Sequence, residues 1–244
     1  MKILFLDLET SPNLAFVWGL WQQNVAINQL MESTEVICFG ARWYGEKKVN
    51  FKSVHHHGKK AMLDELHRLM EEADVLVGWN SQAFDSKHIK REFIENGYLP
   101  PSPYKELDLM RVVKSQFKFP SNKLDYVAQT LGVGAKVQHS GFDLWVGCMA
   151  DDKKAWAKMK EYQIQDVDLL IDLYEILKPW IKNHPHAALY DGVEGGCSNC
   201  ASVKIQRRGY SRTLTATYQR FQCMDCGKWL RGDKSVEKTT YKSV

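Results

Sequence analysis

The sequence predicts an α/β domain with a mixed sheet flanked by helices, followed by a small metal-held unit at the C-terminus. Three short apolar runs come first, then a helix, another apolar run and several helices, an order typical of a helix-covered sheet. Four of the six cysteines form two CxxC pairs near the end of the chain. The 244 residues suffice for one large domain, or for one domain with an appendage.

The first predicted strand carries two carboxylates. Residues 3–8 are apolar apart from Asp7, and Glu9 follows directly, a pattern typical of a strand buried on both faces. Because side chains alternate across a strand, Asp7 and Glu9 point to the same face. Two buried like charges are unfavourable unless a cation neutralises them, and a divalent Mg²⁺ or Mn²⁺ ion suits carboxylate oxygens. The alternative is that the strand ends at Leu6 and both acids are solvated.

The remaining elements follow from apolar periodicity and caps. Strands are predicted at 35–42, 47–54 and 74–79, the first two continuing the opening strand as an antiparallel meander. Helices are predicted at 59–73, 85–97, 109–117, 124–131 and 151–177. Asp108 and Ser121 are the predicted N-caps of the third and fourth helices. Loops are predicted at 11–23, 55–57 and 133–143.

Composition sets the predicted domain limits. The α/β domain is predicted at 1–182, a linker containing Gly and Pro at 183–196, the cysteine-held unit at 197–232, and a polar, disordered tail at 233–244. No apolar run approaches the ~20 residues of a membrane helix. Asp7 and Glu9 would interrupt the core of a signal peptide. We therefore expect no membrane partner and no secretion.

Two later segments offer further acids. Asp85 follows the strand at 74–79 and opens a helix, where a carboxylate also serves as a simple cap. On the long helix, Tyr162 and Asp166 are four residues apart and share one face, beside an apolar stripe. A surface Tyr–Asp pair is the alternative.

The ordered set of motifs resembles the DEDD superfamily of ribonuclease H-like 3′–5′ exonucleases, tyrosine branch, which includes the proofreading domains of family B DNA polymerases. It is also similar to phage-encoded exonucleases that end in a zinc ribbon. The motifs are Asp7-x-Glu9, Asn80-xxx-Phe84-Asp85 and Tyr162-xxx-Asp166. The resemblance spans residues 1–182 and implies a ribonuclease H-like fold. It also implies hydrolysis of DNA at single-stranded 3′ ends to nucleoside 5′-monophosphates.

The resemblance also implies roles for individual residues. The acids would hold two Mg²⁺ or Mn²⁺ ions, and Tyr162 would orient the attacking water. Asn80 and Trp18 would contact the substrate, although a packing role is equally open for Trp18. The four metal-binding acids are Asp7, Glu9, Asp85 and Asp166. A DNA polymerase or another replication protein is an implied partner, and the cytoplasm of a bacterium or of a phage-infected host is the implied location.

The cysteine pairs predict a structural zinc ribbon. Four thiolates in two CxxC knuckles, with strand-like sequence between them, suit a closed tetrahedral zinc site. A redox CxxC is the alternative. The ligands are Cys197, Cys200, Cys223 and Cys226.

The ribbon segment is strongly basic. From Cys197 onward, ten Lys and Arg face three Asp and Glu, a formal charge of +7, so the rest of the chain carries +4 − 7 = −3. Basic and aromatic residues interleave there, and Arg207 and Arg208 are candidate contacts to nucleic acid, with DNA favoured over RNA. A surface that docks a protein, or one that is only solvated, is the alternative.

Three other functions stay open at this point. The same fold and metals could serve a ribonuclease or a structure-selective endonuclease. The chain could also be a non-catalytic zinc-ribbon protein that binds nucleic acid.

Overall fold

The computed structural model describes residues 1–241, and the chain divides into two compact units. The first unit is Lys2–Leu173, and the second begins at Tyr174 and includes Met1. The division falls inside the long helix, ahead of the predicted domain limit at 182. The second unit also takes in the segment 183–196, which we predicted to be a linker.

The first unit contains a five-stranded sheet and a short two-stranded one. Its strands are β1 (Ile3–Thr10), β2 (Leu14–Ala15), β3 (Leu30–Glu32), β4 (Val36–Trp43), β5 (Asn50–Ser53), β6 (Val75–Gly78) and β7 (Lys105–Asp108). The large sheet has the order β5-β4-β1-β6-β7, with β4 antiparallel to β1 and β5, and β6 parallel to β1 and β7. The smaller sheet pairs β2 with β3.

Helices cover both faces of the large sheet. They are α1 (Val54–His57), α2 (Lys59–Glu72), α3 (Asp85–Glu95), α4 (Leu109–Gln116), α5 (Leu124–Thr130), α6 (Phe142–Met149) and α7 (Lys153–Leu177), which continues into the second unit. The predicted mixed α/β fold with a helix-covered sheet is confirmed.

The alternation of side chains along β1 separates the core from the candidate site. Leu4, Leu6 and Leu8 pack in one apolar cluster with side chains of α2 and α3. Asp7 and Glu9 point to the opposite face. Side chains of α6 and α7 pack on that face against β4 and β5. Because side chains alternate along β1, Asp7 and Glu9 lie on the face of the sheet that α7 covers.

A glycine lets α7 approach the sheet closely. Gly40 of β4 pairs directly with Asp7 of β1. A Cβ at Gly40 would lie 3.0 Å from both Gln163 Cγ and Val167 Cγ2 of α7. The missing side chain thus sets the distance between the helix and the two acidic residues of β1.

Several local predictions are wrong. The His55–His57 segment is helical in α1, and residues predicted as loop form β2 and the start of α6. The strand β7 was missed because it is short, charged and at the sheet edge. Ser121 is not the cap of α5, which begins after Lys123. Asp108 does cap α4, because its Oδ1 accepts a hydrogen bond from the Arg111 N–H at 3.3 Å.

The second unit consists of the end of α7, a short helix and a three-stranded sheet. Its further elements are α8 (Ala187–Tyr190), β8 (Ile205–Arg212), β9 (Ala216–Cys223) and β10 (Trp229–Lys238), and the sheet order is β10-β9-β8. The tail predicted to be disordered from Asp233 instead continues β10 as far as Lys238, because β9 supplies backbone partners there. Residues 242–244 of that tail lie outside the described residues.

We expect Gly40→Val to lower the free energy of unfolding by about 1–3 kcal/mol, because the added methyl groups push against α7. Chemical denaturation measures this change. Gly19→Ala is the matched control, since its Cβ would meet only the flexible Gln23 side chain within 4 Å. Equal stability of Gly40→Val and the wild type would contradict this account of the helix–sheet contact.

Candidate active site and metal centres

Three carboxylates converge between β1 and α7. Oxygen atoms of Asp7, Glu9 and Asp166 all lie within 4.8 Å of one another. Asp7 and Glu9 are brought together by the strand period, and Asp166 faces them from α7. The structure therefore groups three of the four acids predicted to bind metal.

Burial and mutual repulsion make these acids hard to ionise in the metal-free chain. Burial, with the nearby Asp166 carboxylate, raises the pKa of Asp7 to about 7. Burial, followed by repulsion from Asp7, raises the pKa of Glu9 well above its usual range. Both shifts indicate a site that lacks enough positive charge for its carboxylates.

The fourth predicted acid, Asp85, is adjacent to this group but outside the set of three. It is the buried first residue of α3, and the Leu8 backbone N–H, between Asp7 and Glu9, favours its charged form. Burial and repulsion from Asp7 raise the pKa of Asp85 well above its usual range. The charges of all four acids therefore interact.

Lys136 is a site residue that our sequence analysis missed. Its Nζ donates to Tyr162 Oη at 2.8 Å and to Asp166 Oδ2. Although burial opposes a charged ammonium, the Asp166 carboxylate raises the pKa of Lys136 above its usual value. The available signal was that Lys136 is the only charged residue between positions 131 and 142.

Tyr162 and its neighbour Gln163 hold the cluster in place. Burial raises the pKa of Tyr162 well above its usual value, so the phenol stays protonated at neutral pH. Gln163 Nε2 donates to Asp7 Oδ2 at 2.7 Å and so orients that carboxylate toward α7. The sequence analysis also missed Gln163, which lies beside Tyr162 in the motif.

The acid cluster fits divalent cations of the Mg²⁺ or Mn²⁺ type. Asp166 is 1% exposed, and its Oδ1 has no hydrogen-bond partner within residues 1–241. A buried carboxylate oxygen without a partner is costly, and a cation would satisfy it. The donor set consists of carboxylate oxygens, which these hard cations prefer.

A cavity of about 590 Å³ opens beside the acids. Asp7 and Asn80 line it, with three lysines that suit a polyanionic strand. The lysines are Lys114, Lys123 and Lys136. Asn80 has a positive φ of 63°, and its backbone N–H donates to Asp108 Oδ1 at 3.0 Å, which fixes the loop after β6.

The other predicted substrate contacts lie on exposed surfaces. Trp18 is 98% exposed, so the structure does not show the packing role that we left open for it. Arg207 and Arg208 are exposed on β8 of the second unit. The contact of these residues with nucleic acid stays a prediction.

The four ribbon cysteines form a compact sulfur cluster. All four Sγ atoms lie within 4.8 Å of one another. The Cys197–Cys226 and Cys200–Cys223 sulfur pairs are each 3.6 Å apart. A tetrahedral zinc ion with bonds of about 2.3 Å places its sulfurs roughly 3.8 Å apart, so the cluster fits one zinc ion.

Backbone donors favour a thiolate at this cluster. The Asn199 N–H donates to Cys197 Sγ at 3.4 Å. Although burial opposes ionisation, the N–H groups of Cys226 and Asp225 lower the pKa of Cys223 to about 7. Thiolates are the form that binds zinc.

Comparison with known proteins places the chain in a family. A model of the RNase H superfamily matches residues 27–178. The chain belongs to the RNase H superfamily. The matched range contains Asp85, Tyr162 and Asp166, and it begins after the strand that carries Asp7 and Glu9.

One relative in sequence and one protein of similar fold carry the name of a DNA polymerase. "Putative DNA polymerase 060R" of Frog virus 3 (isolate Goorha) is 29% identical over 110 residues, which cover 43% of this chain and 9% of that protein. The structure of the family B DNA polymerase from the hyperthermophilic archaeon Pyrobaculum calidifontis is 17% identical, with a TM-score of 0.54. That match covers 73% of this chain and 24% of the polymerase.

These matches confirm the resemblance inferred from the motifs, and they support a nuclease. The chain spans less than a tenth of the viral relative and about a quarter of the archaeal polymerase. The likeness to the archaeal polymerase shows a shared fold. No helix within residues 1–241 has the length and apolar character needed to cross a membrane.

We expect the metal-free chain to lose stability as the pH rises from about 4 to about 7. The pKa of Asp7 is raised from 3.8 to about 7 on folding, so the folded state binds more protons across this range. Denaturation at a series of pH values should show a fall of a few kcal/mol. Asp7→Asn should reduce this fall, and added Mg²⁺ should restore stability at neutral pH.

The control for that series is Asp172→Asn, which removes an equal charge from an exposed position on α7. It should leave the pH dependence unchanged. A metal-free wild type that gains stability from pH 4 to pH 7 would contradict the buried, repelling arrangement of the carboxylates.

We expect Cys223→Ser to lose the bound zinc and to unfold β8–β10, because so small a sheet depends on its metal. Elemental analysis by mass spectrometry measures zinc per chain, and hydrogen exchange measures protection of the three strands. Cys148→Ala is the control, since Cys148 is a buried cysteine of the first unit and is not one of the four that form the sulfur cluster. Retention of one zinc per chain by Cys223→Ser would exclude the four-cysteine site.

Proposed function

We propose that the chain is a 3′–5′ exonuclease that acts on DNA and releases nucleoside 5′-monophosphates. The observation that carries this proposal is the convergence of Asp7, Glu9 and Asp166, with Tyr162 one helical turn before Asp166. The family membership supports a nuclease, and the polymerase relatives favour DNA over RNA. Single-stranded 3′ ends are the proposed substrate, and a DNA polymerase or another replication protein is a proposed partner.

The acids are proposed to hold two divalent ions. Asp7, Glu9 and Asp166 would be the closest ligands, and Asp85 would complete the set from α3. When bound, such ions supply an activated water and stabilise negative charge on the phosphate and the leaving oxygen.

Tyr162 is proposed to orient the attacking water. Its hydroxyl accepts a hydrogen bond from Lys136 Nζ at 2.8 Å, so its own proton is directed away from the ammonium. Because its pKa is raised by burial, the phenol acts as a hydrogen-bonding group and not as a base. A fixed hydroxyl beside the acids can position a water or a phosphate oxygen.

Lys136 is proposed to stabilise charge in the same site. Its ammonium contacts Asp166 and Tyr162, and it lines the cavity that also contains Asp7 and Asn80. It stays charged at neutral pH because the Asp166 carboxylate raises its pKa. A fixed positive charge beside a phosphodiester favours the negative transition state.

The proposed activity is tested by digestion of a 5′-labelled single-stranded DNA oligonucleotide with Mg²⁺ or Mn²⁺. We expect a ladder that shortens from the 3′ end. Asp7→Asn should lower the rate about a thousandfold, because it removes several kcal/mol of metal-dependent stabilisation. Omission of divalent metal after desalting is the metal control, since a chelator would also remove zinc from the ribbon.

Two matched comparisons sharpen this test. Asp172→Asn carries the same charge change on an exposed part of α7 and should cleave at the wild-type rate. A 3′-blocked oligonucleotide should resist digestion, and its internal cleavage would identify an endonuclease. Faster digestion of RNA would identify a ribonuclease, and no digestion of either polymer would favour a non-catalytic binding protein.

A further inference from the structure

The ribbon sheet has two chemically different faces, which the strand register defines. Directly paired residues on neighbouring strands share a face. Gln222 of β9 pairs with Trp229 and Gln206, while Phe221 pairs with Leu230 and Arg207. We call the Gln222 side the arginine face, which comprises Gln206, Ser211, Ala216, Tyr218, Arg220, Gln222, Trp229, Arg231, Ser235 and Lys238.

The opposite face mixes apolar and polar residues and includes one of the four ribbon cysteines. It carries Cys223 together with Ile205, Phe221 and Leu230. Its charged residues are Arg207, Arg212 and Glu237. The arginine face instead has three cations and no acid among the residues whose pairing is described. Among these paired residues the arginine face therefore carries a formal charge of +3, and the opposite face carries 2 − 1 = +1.

Two arginines on the arginine face are directly opposed. Arg220 of β9 pairs with Arg231 of β10. Like charges directly opposite each other destabilise a sheet. Arg208 also lies nearby, because its Nη2 donates to Gln206 Oε1 at 3.0 Å. A bound polyanion would convert this repulsion into favourable contacts.

Each opposed arginine is stacked against an aromatic ring. Arg220 Cζ lies 4.8 Å from the Trp229 ring centroid, and Arg231 Cζ lies 4.4 Å from the Tyr218 ring centroid. The stacking pre-orders the long arginine side chains, which lowers the entropy lost on binding. Trp229 is 50% exposed, so part of its surface is available to a further planar group.

We propose that the arginine face binds single-stranded nucleic acid. Guanidinium groups contact the phosphates, and unstacked bases pack against Trp229 and Tyr218 or against the guanidinium planes. The choice of nucleic acid over an acidic protein rests on the proposed nuclease function and on the exposed ring of Trp229. Single strands fit better than duplex DNA, because only unstacked bases present their flat faces.

The binding test uses the zinc-loaded full chain with Asp7→Asn, so that the ligand is not hydrolysed. Fluorescence anisotropy with a labelled oligodeoxythymidylate of about 20 nucleotides gives Kd as a function of salt. The double variant Arg220→Ala/Arg231→Ala should weaken binding and lower the slope of log Kd against log salt by about 1.4. The matched control, Lys153→Ala/Lys154→Ala, removes equal charge from an exposed part of the first unit and should change the slope much less.

Stacking is tested separately from charge. Trp229→Ala should weaken binding about tenfold with little change in the salt slope, and Trp229→Phe should restore most of the affinity. Zinc content and circular dichroism establish that each variant keeps its fold.

Three outcomes would overturn the proposal. The first is an equal loss in both double variants, which would indicate net charge alone. The second is equal affinity for a duplex with no effect of Trp229→Ala. The third is competition by polyglutamate as effective as competition by unlabelled DNA, which would indicate an acidic protein partner. Hydrolysis is measured separately in the chain with intact Asp7, so failure of one proposal leaves the other standing.

Discussion

Repulsion among buried carboxylates is the constraint on which the first unit is organised. Asp7 and Glu9 belong to β1, which is the central strand of the five-stranded sheet. Asp166 approaches these two acids from α7. The sheet could have avoided this cost with apolar side chains at those positions. Gly40 permits α7 to pack close to the sheet, which places Asp166 near the acids of β1. A larger residue at position 40 would increase the distance between Asp166 and those acids. Such an arrangement is compatible with a divalent cation that would neutralise the three acids.

The acids could be predicted from sequence because local rules place them. Alternation along β1 puts Asp7 and Glu9 on one face, and the helical period puts Tyr162 and Asp166 on another. Lys136 escaped prediction because its position depends on tertiary contacts: its backbone N–H donates to Asp125 Oδ1 at 2.8 Å, which pins the loop over the site. The helical and strand periods of the sequence do not predict this hydrogen bond between a loop residue and a helix residue.

The missed strands have a related physical cause. The residues of β7 are Lys-Glu-Leu-Asp, and the later part of β10 is equally polar, so neither shows the apolar alternation that marks a strand. Their neighbours β6 and β9 supply the backbone hydrogen bonds. The presence of these edge strands is therefore decided by an available partner edge and not by their own side chains. The order of apolar runs and helices predicted the general fold class well and the sheet edges poorly.

Each unit concentrates charge of one sign, negative in the acid cluster of the first unit and positive on the arginine face of the second. The acid cluster concentrates negative charge that a divalent cation can neutralise, and the arginine face concentrates positive charge that phosphates can neutralise. Each carries a like-charge repulsion, between Asp7 and Asp166 in one unit and between Arg220 and Arg231 in the other. Enzymes that cleave a polyanion need both properties, because the backbone must be held by cationic side chains while the reacting phosphate meets a cation held by acids. In the proposed function and the proposed ribbon interface, the metal ion would relieve the first repulsion and the nucleic acid would relieve the second.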